Sequence, residues 1–370
     1  MWKRGDGMRG LYIHIPFCVK KCSYCDFSSY CGQEEKIPLY IEALSKEADK
    51  YRHQKIDTVF VGGGTPSIMS ERDIYNLFNV INKKFIVSKD CEITVEVNPD
   101  TVAEEKIKAF CESGVNRISM GVQSFDDNEL KILGRIHNAQ KAEQAAEIIR
   151  KYTNNYSLDI MTGIPKQTKE SLHKTLEKAV SLSPAHISCY SLIIEEGTPF
   201  YDMYDELDVP DEDTDREMYH FTCDFLKKKG YTQYEISNFA KRGYECRHNL
   251  KYWDCMEYIG LGAAAHSYYN SERFYNASGI DEYINGNTIA EREYIDEDNK
   301  ISEFMIMGLR KTAGIDTEVF FERFGKDINE IFKEPLEKYI SGGFLEKKGR
   351  FLRFTKVGVD VSNSILCEFI

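Results

Sequence analysis

Short apolar runs alternate with longer amphipathic stretches over the first half of the 370-residue chain. Six runs rich in apolar and β-branched residues predict buried strands: GLYIHIPF, DTVFVGGG, EITVEVNP, NRISMGVQSF, YSLDIMTGIP and HISCYSLII. Between them, stretches such as LYIEALSKEADKYR and SLHKTLEKAVSL repeat their apolar positions at helical spacing. Alternating strands and helices are typical of a parallel sheet. The pattern therefore predicts an α/β fold, an incomplete TIM-like (β/α)6 barrel.

The alternation ends near residue 200. An acidic segment, DELDVPDEDTD, precedes a predicted helix in REMYHFTCDFLKKKG, and the chain to about Tyr275 is aromatic and loop-rich. Beyond residue 290, helical stretches (SEFMIMGLRK, EVFFERF, EPLEKYISGG) are followed by FLEKKGRFLRFT, which alternates about a glycine-containing turn like a hairpin. We therefore predict the barrel over residues 1–200, an extension over 201–290 and a small helical, winged-helix-like domain over 291–370.

The composition argues against several classes of function. With 48 Lys and Arg against 60 Asp and Glu, the net charge is -12, which would repel a nucleic acid. No run of eighteen apolar residues predicts a membrane span. The eleven cysteines are an odd and mostly scattered set, unlike the disulfide framework of a small secreted domain. These features predict a cytoplasmic protein with reduced cysteines that does not bind nucleic acid.

Chemically suggestive segments follow five of the six predicted strands. In order, these are a cysteine-rich loop, GGGTPS, NPD, VQSF and GIPKQT. Ligands of parallel α/β folds gather at the carboxyl ends of the strands. The sequence therefore predicts a binding site on one rim of the barrel.

The first of these segments, IPFCVKKCSYCDF, places three cysteines at C-x3-C-x2-C spacing: Cys18, Cys22 and Cys25. Structural zinc takes four protein ligands, and catalytic zinc with three recruits histidines more often. A four-iron cluster bound by three thiolates keeps one iron open to an exchangeable ligand. Spacing alone favours the iron-sulfur cluster, with zinc or structural thiols as the alternatives.

This motif, with Tyr24 inside it and a strand before it, resembles the signature of the radical S-adenosylmethionine (SAM) superfamily. The resemblance implies a radical SAM barrel with a 4Fe-4S cluster whose open iron binds SAM. It also implies SAM-contacting positions elsewhere on the rim: Tyr12, Phe27, Gly63, Gly64, Thr65, Glu96, Gln123, Arg135 and Asp159. Judged without the resemblance, each of these residues has an ordinary structural role as an alternative.

Several longer segments resemble one branch of the superfamily, which contains oxygen-independent coproporphyrinogen III oxidases and HemW-type heme chaperones. The oxidases carry a further cysteine two residues after the third cluster cysteine, where this chain has Phe27. The segment HNLKYW instead resembles the H-N-x-x-Y-W signature of the chaperones. That resemblance implies His248 as a heme ligand, and the neighbouring Arg247 could pair with a propionate. His14 and His266 also fit positions of the family, and they are interpreted as packing histidines.

Two main hypotheses about function follow. The first is a heme chaperone that carries the cluster and SAM, receives electrons from a donor and passes heme to an unknown acceptor protein, which could be membrane-associated. The alternative is a coproporphyrinogen III oxidase, in which a 5'-deoxyadenosyl radical starts the decarboxylation of propionates. A more remote alternative is RNA modification, which the excess of acidic over basic residues disfavours. Whether the chain is an enzyme, and whether it forms a homodimer, is left open.

Overall fold

Six parallel strands form the centre of the computed structural model, which describes residues 8–286 and 288–370. They pair in chain order, β1 with β2 through β5 with β6, which confirms the incomplete barrel. Strands β1 to β6 span Arg9–Ile15, Lys55–Gly63, Ile86–Val97, Arg117–Gln123, Tyr156–Thr162 and His186–Ser191. Helices α1 to α6 span Ile37–Ala48, Glu71–Lys84, Glu104–Glu112, Asp127–Ile132, Ala139–Arg150 and Lys169–Ser181.

The alternation of side chains along a strand separates an apolar face from a polar one. On β1, Leu11, Ile13 and Ile15 are buried in the main hydrophobic core, whereas Tyr12 and His14 line a cavity. Local signals define several helix starts. Ser70 and Asp73 form a capping box at α2, which satisfies backbone N–H groups that have no partner within the helix. The strands therefore present polar side chains to the barrel interior while the core lies between sheet and helices.

Short strands extend this sheet at both edges. Strand β9 pairs with β1 in parallel and is followed outward by β10, β11 and β12, while β8 and β7 continue from β6. Strands β7 to β12 span Thr232–Gln233, Asn238–Ala240, Tyr258–Leu261, His266–Tyr269, Glu272–Asn276 and Ile289–Tyr294. The predicted loop-rich stretch before Tyr275 thus contributes several strands. The sequence analysis did not identify these strands because segments of two to five residues show too little periodicity to be detected.

Helices α7 to α10 accompany these strands and span Pro199–Asp202, Glu212–Lys228, Arg247–Trp253 and Ile280–Ile284. Helix α8 coincides with the helix expected after the acidic segment. Helix α9 carries the HNLKYW segment, and His248 and Lys251 on it are buried. The predicted limit at residue 290 falls inside β12, which is hydrogen-bonded to β11 of the large sheet; the three-unit division stays a prediction.

The C-terminal residues form a second hydrophobic cluster that runs from Ile301 to Phe369. Helices α11 to α16 span Glu297–Gly308, Thr317–Phe324, Ile328–Ile331, Lys333–Ser341, Lys356–Asp360 and Ser362–Leu366. Strands β13 to β15 span Ile315–Asp316, Leu345–Lys348 and Phe351–Phe354, and the last two form the expected hairpin. No helix in the described part of the chain combines the length and apolar character needed to cross a bilayer.

A buried carboxylate connects the barrel to the added strands. Glu47 on α1 accepts hydrogen bonds from the backbone N–H of Gly262 at 3.0 Å, the amide of Asn276 at 2.7 Å and the hydroxyl of Tyr283. Burial raises the pKa of Glu47, and these donors partly offset that effect. Three segments beyond residue 260 are thereby attached to the first helix.

Replacing Glu47 with alanine should destabilise the protein by about 3 kcal/mol, because three buried donors lose their acceptor. Chemical denaturation measures this change. The matched control is Glu42→Ala, an exposed residue of the same helix, which should change the unfolding free energy by less than about 0.5 kcal/mol. Equal effects of the two substitutions would contradict the anchoring role.

Candidate functional site

The loop after β1 carries the three motif cysteines. Its base is closed by hydrogen bonds from the Cys18 N–H to the Tyr30 carbonyl at 2.9 Å and from the Tyr30 N–H to the Pro16 carbonyl at 2.8 Å. Cys18, Cys22 and Cys25 all line one cavity of about 330 Å³ at the carboxyl ends of the strands. The predicted rim location of the cysteine loop therefore matches the structure.

Polar groups contact two of the three thiols. The Cys18 Sγ lies 3.4 Å from the Thr65 hydroxyl, and the Arg135 guanidinium donates to the Cys22 Sγ at 3.5 Å. Burial raises the pKa of Cys18 and Cys25, so binding as thiolates would require a compensating positive charge such as a metal. Three thiolates are a soft donor set that suits iron-sulfur clusters.

The donor chemistry of the three thiols fits an iron-sulfur cluster. Among residues 8–286 and 288–370, no three or more His, Cys, Asp or Glu side chains form a group that could hold a metal ion. Cluster ligation by these cysteines therefore stays a prediction from the motif and from the cavity that they share.

The glycine loop after β2 packs directly against the cysteine loop. The N–H of Gly64 donates to the Ile15 carbonyl at 2.9 Å, and that of Thr65 donates to the Phe17 carbonyl at 2.8 Å. A Cβ on Gly64 would lie only 2.7 Å from the Phe17 carbonyl oxygen, and one on Gly63 would lie 2.4 Å from the His14 ring. Gly63 also has a φ of 105°, which favours glycine. Glycine is required at both positions because neighbouring groups lie too close to the backbone for a side chain.

Two carboxylates face the same cavity from β3 and β5. Glu96 accepts a hydrogen bond from the Gly63 N–H at 3.1 Å, and Asp159 accepts one from the Ser119 hydroxyl at 3.2 Å. Burial, reinforced by Asp159, raises the pKa of Glu96 to about 7. Burial also raises the pKa of Asp159. A cationic group entering this recess would gain from both carboxylates.

The remaining wall of this cavity is formed by the end of β4 and by Arg135 in the segment that follows it. The Arg135 guanidinium donates to the Gly121 carbonyl at 2.7 Å and to the Asn98 side chain at 2.9 Å. Gln123, which has a φ of 70°, accepts a hydrogen bond from the Tyr190 hydroxyl at 3.1 Å. Arg135 therefore connects the cysteine loop to two strand ends.

Eleven of the predicted site residues line this first cavity: Cys18, Cys22, Cys25, Phe27, Gly63, Gly64, Thr65, Glu96, Gln123, Arg135 and Asp159. Tyr12 instead lines the neighbouring cavity. The sequence analysis placed the NPD segment on the rim without singling out Asn98, and it missed Tyr190 as a cavity residue. Both lie at carboxyl ends of barrel strands, so their position was the signal that could have identified them. What each residue contacts when a ligand is bound stays a prediction.

A second cavity, of about 600 Å³, adjoins the first, and the two share four lining residues: Asp26, Phe27, Gly63 and Glu96. Aromatic rings dominate its other walls, and they belong to Tyr12, Tyr252, Trp253, Tyr258 and Tyr268. Helix α11 adds Glu303 and Met307. Its volume is in the range of cavities that bind drug-sized or cofactor-sized molecules.

His248 lies outside the residues that line either cavity. Its Nδ1 is hydrogen-bonded to the Thr58 hydroxyl at 2.9 Å and its Nε2 to the Tyr252 hydroxyl at 2.9 Å. Burial lowers the pKa of His248 to about 3, so its ring is neutral. Iron ligation by His248 would require breaking one of these bonds, and the geometry does not support its predicted role as a direct ligand.

Arg247 also points away from the cavities. Its guanidinium donates to the Asp90 carbonyl at 2.6 Å and lies 3.8 Å from the Asp57 carboxylate. The suggested pairing of Arg247 with a propionate therefore has no support from this structure.

The raised pKa of Glu96 predicts a pH-dependent stability. The folded state holds the Glu96 proton up to a pH of about 7, whereas the ordinary pKa is 4.5. The stabilising contribution of protonated Glu96 to the free energy of unfolding is therefore complete below pH 4.5, and it is lost as the pH rises through 7. Glu96→Gln keeps a neutral side chain, so it should be more stable than the wild type by about 3 kcal/mol at pH 8 and nearly equal at pH 4.5.

Denaturation of the ligand-free protein across this pH range measures the difference between variant and wild type. Glu104→Gln is a control of opposite sign, because Lys151 lowers the pKa of that exposed carboxyl. A Glu96→Gln profile parallel to the wild type would contradict the burial of an acidic proton at Glu96.

Known families and proteins resemble this chain in sequence. Residues 12–179 match the Radical SAM superfamily, and residues 295–361 match the HemN C-terminal domain. The chain is 37% identical to the protein named heme chaperone HemW from Bacillus subtilis, over 98% of this chain and 99% of that one. It is also 37% identical to HemW from Buchnera aphidicola of Schizaphis graminum, over 97% and 98% of the two chains.

Among solved structures, coproporphyrinogen III oxidase (HemN) from Escherichia coli superposes with a TM-score of 0.86. That match covers 98% of this chain and 90% of the other at 22% identity, so it shows a common fold. The sequence identity over nearly the whole length is decisive for the family. The chain belongs to the radical SAM superfamily and, within it, to the family of the HemW proteins.

Proposed function

We propose that this protein binds heme and transfers it to an acceptor protein, and that it carries a 4Fe-4S cluster and exchangeable SAM. The observation that carries the proposal is the 600 Å³ aromatic cavity that adjoins the cysteine-lined cavity. The names of the HemW relatives, which describe heme chaperones, support the same function. Two joined cavities would allow heme and SAM to be bound side by side.

The cysteine-lined cavity fits the cluster and SAM. Cys18, Cys22 and Cys25 would hold the cluster, and the Arg135 guanidinium beside Cys22 would stabilise its thiolate. The bare backbone of Gly63 and Gly64 offers polar groups to SAM. Bound together, the cluster and SAM supply one-electron cleavage of a sulfonium bond.

The polar wall would orient SAM. Glu96 and Asp159 would attract its positive groups, while Gln123 and Thr65 offer uncharged hydrogen-bonding groups. Phe27 and Tyr12 would cover the ligand from the side of the larger cavity. Phe27 is 59% exposed, which leaves apolar surface available to a ligand.

The larger cavity fits a flat apolar ring. Tyr252, Trp253, Tyr258 and Tyr268 offer aromatic surface for both faces of a porphyrin. Contacts between these rings fix their relative orientations. Tyr252 and Tyr258, for example, pack edge-on with their ring centres 4.7 Å apart. Heme would be cargo that binds in this cavity and later leaves it.

The proposal includes partners and a location. Release of heme needs an acceptor protein, which could be membrane-associated, and reduction of the cluster needs an electron donor. The predicted free state of all eleven cysteines suits the cytoplasm. Self-association is left open, and the net charge of -12 disfavours nucleic acid as a partner.

Oxidation of a porphyrinogen is the second candidate function. The continuity of the two cavities favours it, because a substrate in the larger one would lie next to SAM in the smaller one. Phe27, which stands where the oxidases have a further cysteine, disfavours it. Formation of protoporphyrinogen from coproporphyrinogen under anaerobic, reducing conditions with SAM would favour the enzyme over the chaperone.

Removing one motif thiol should prevent cluster assembly. We expect about four irons per chain in reconstituted wild type and substantial loss of iron and sulfide in Cys22→Ala. The matched control is Cys31→Ala, an exposed cysteine outside the cavity lining, which should keep its cluster. Iron and sulfide analysis measures both variants, and equal iron content in all three proteins would contradict the assignment.

Hemin titration tests the aromatic cavity. The wild type should saturate near one heme per chain, and Tyr258→Ala should weaken binding about tenfold because one aromatic wall is lost. Tyr204→Ala is the control, because Tyr204 is 56% exposed and lies outside both cavity linings. Saturation of the Soret band measures the affinity. Absence of stoichiometric binding to the wild type would overturn the proposed function.

A further inference from the structure

We propose that His266, and not His248, supplies the ring nitrogen that binds the heme iron. The inference rests on the proposed heme binding and deepens it by assigning the metal ligand. It also gives His248 a different role, which is to position Tyr252 on the cavity wall.

Two histidines line the large cavity, and only one of them offers a ring nitrogen. His14 is hydrogen-bonded through Nδ1 to the Tyr12 hydroxyl at 2.9 Å and through Nε2 to the Ser28 carbonyl at 2.8 Å. For His266, neither ring nitrogen has a hydrogen-bond partner within residues 8–286 and 288–370. His248, behind the wall, has both nitrogens bonded. Availability of a nitrogen therefore selects His266.

The backbone directs His266 into the cavity. Residues two apart on a strand point to the same face, and His266 and Tyr268, the first and third residues of β10, both line this space. Tyr268 pairs across the sheet with Tyr258, another wall residue. His266 therefore belongs to the same surface as the aromatic side chains that would cover a porphyrin.

The ring plane of His266 is held by its neighbour on the next strand. Tyr275 is the register partner of His266, and the two rings stack at 5.0 Å with 24° between their planes. The Tyr275 hydroxyl donates to Glu291 on β12 at 2.7 Å. Stacking supports an imidazole through its face and leaves the ring edge, which carries the nitrogens, open to a metal.

The contacts of His248 explain why a histidine in HNLKYW matters without binding iron. Its Nε2 bond holds the Tyr252 hydroxyl, and Tyr252 contacts Tyr258 edge-on in the cavity wall. Its Nδ1 bond ties helix α9 to Thr58 of β2. Loss of His248 would disturb one wall of the cavity, whereas loss of His266 would remove the iron ligand. His248 is thus a positioning residue.

Hemin titration of the full-length, cluster-reconstituted protein tests the assignment when the spectra are read for histidine ligation. The wild type should show the iron-histidine signature by electron paramagnetic resonance of ferric heme and resonance Raman of ferrous heme. His266→Ala should lose this signature, bind hemin about tenfold or more weakly, and recover the signature when imidazole is added. Recovery by imidazole is expected of a missing ligand and not of a disturbed fold.

Two further variants separate positioning from ligation. His248→Ala and the milder Tyr252→Phe, which removes only the hydroxyl that bonds His248, should keep the iron-histidine signature with weaker binding. His173→Ala changes a histidine on α6 whose side chain is 45% exposed and which lies outside both cavity linings; it should bind heme like the wild type, which controls for adventitious binding at other imidazoles.

The outcomes distinguish this inference from the proposed function. If the wild type binds no heme stoichiometrically, the proposed function fails and this inference fails with it. If the wild type binds heme and His266→Ala keeps the histidine signature, only the inference is overturned. Loss of the signature in a folded His248→Ala, with His266→Ala unaffected, would establish His248 as the ligand instead.

Discussion

Backbone pairing between the loops that follow β1 and β2 is the constraint on which the site depends. The hydrogen bonds from Gly64 to Ile15 and from Thr65 to Phe17 continue the parallel pairing of the two strands past their ends. They place the chain directly before Cys18 against the glycine loop. A side chain on Gly64 would collide with backbone oxygens that cannot move independently. The cysteine loop, the glycine loop and the cavity between them therefore form one unit.

The polar interior of the barrel is a consequence of the same parallel architecture. Inward-facing positions collect at the centre, where Glu96, Asp159 and Arg117 share a desolvated space. The positive charge of Arg117 opposes the rise in the pKa of both carboxyls, although burial is the larger effect. Buried charges without ligands are costly unless they are paired. The recess thus gains from a cationic ligand, which connects its electrostatics with the proposed binding of SAM.

The strands added beyond β1 create a second cavity beside the one that the cysteines line. Strands β9 and β10 carry Tyr258, His266 and Tyr268, and their place in the sheet is secured by the hydrogen bonds of Glu47 to Gly262 and Asn276. Helix α9, which carries HNLKYW, packs against β2, where His248 is hydrogen-bonded to Thr58. The large cavity exists only because these distant segments converge on the rim of the barrel.

The sequence by itself determined the six strands and their helices, the cysteine spacing and the gathering of the candidate segments at the carboxyl ends of the strands, while the individual SAM-contacting residues came from the resemblance to a family. These features repeat locally or follow from a general rule for parallel sheets. Only the tertiary structure decided that short segments after residue 230 join the same sheet, that Tyr190 belongs to the site, and that both nitrogens of His248 are engaged. The reason is physical. Strands of two to five residues are too short to leave a periodic pattern along the chain, so their pairing depends on the folded arrangement. The same holds for long-range hydrogen bonds, such as the one that joins Thr58 and His248 across 190 positions.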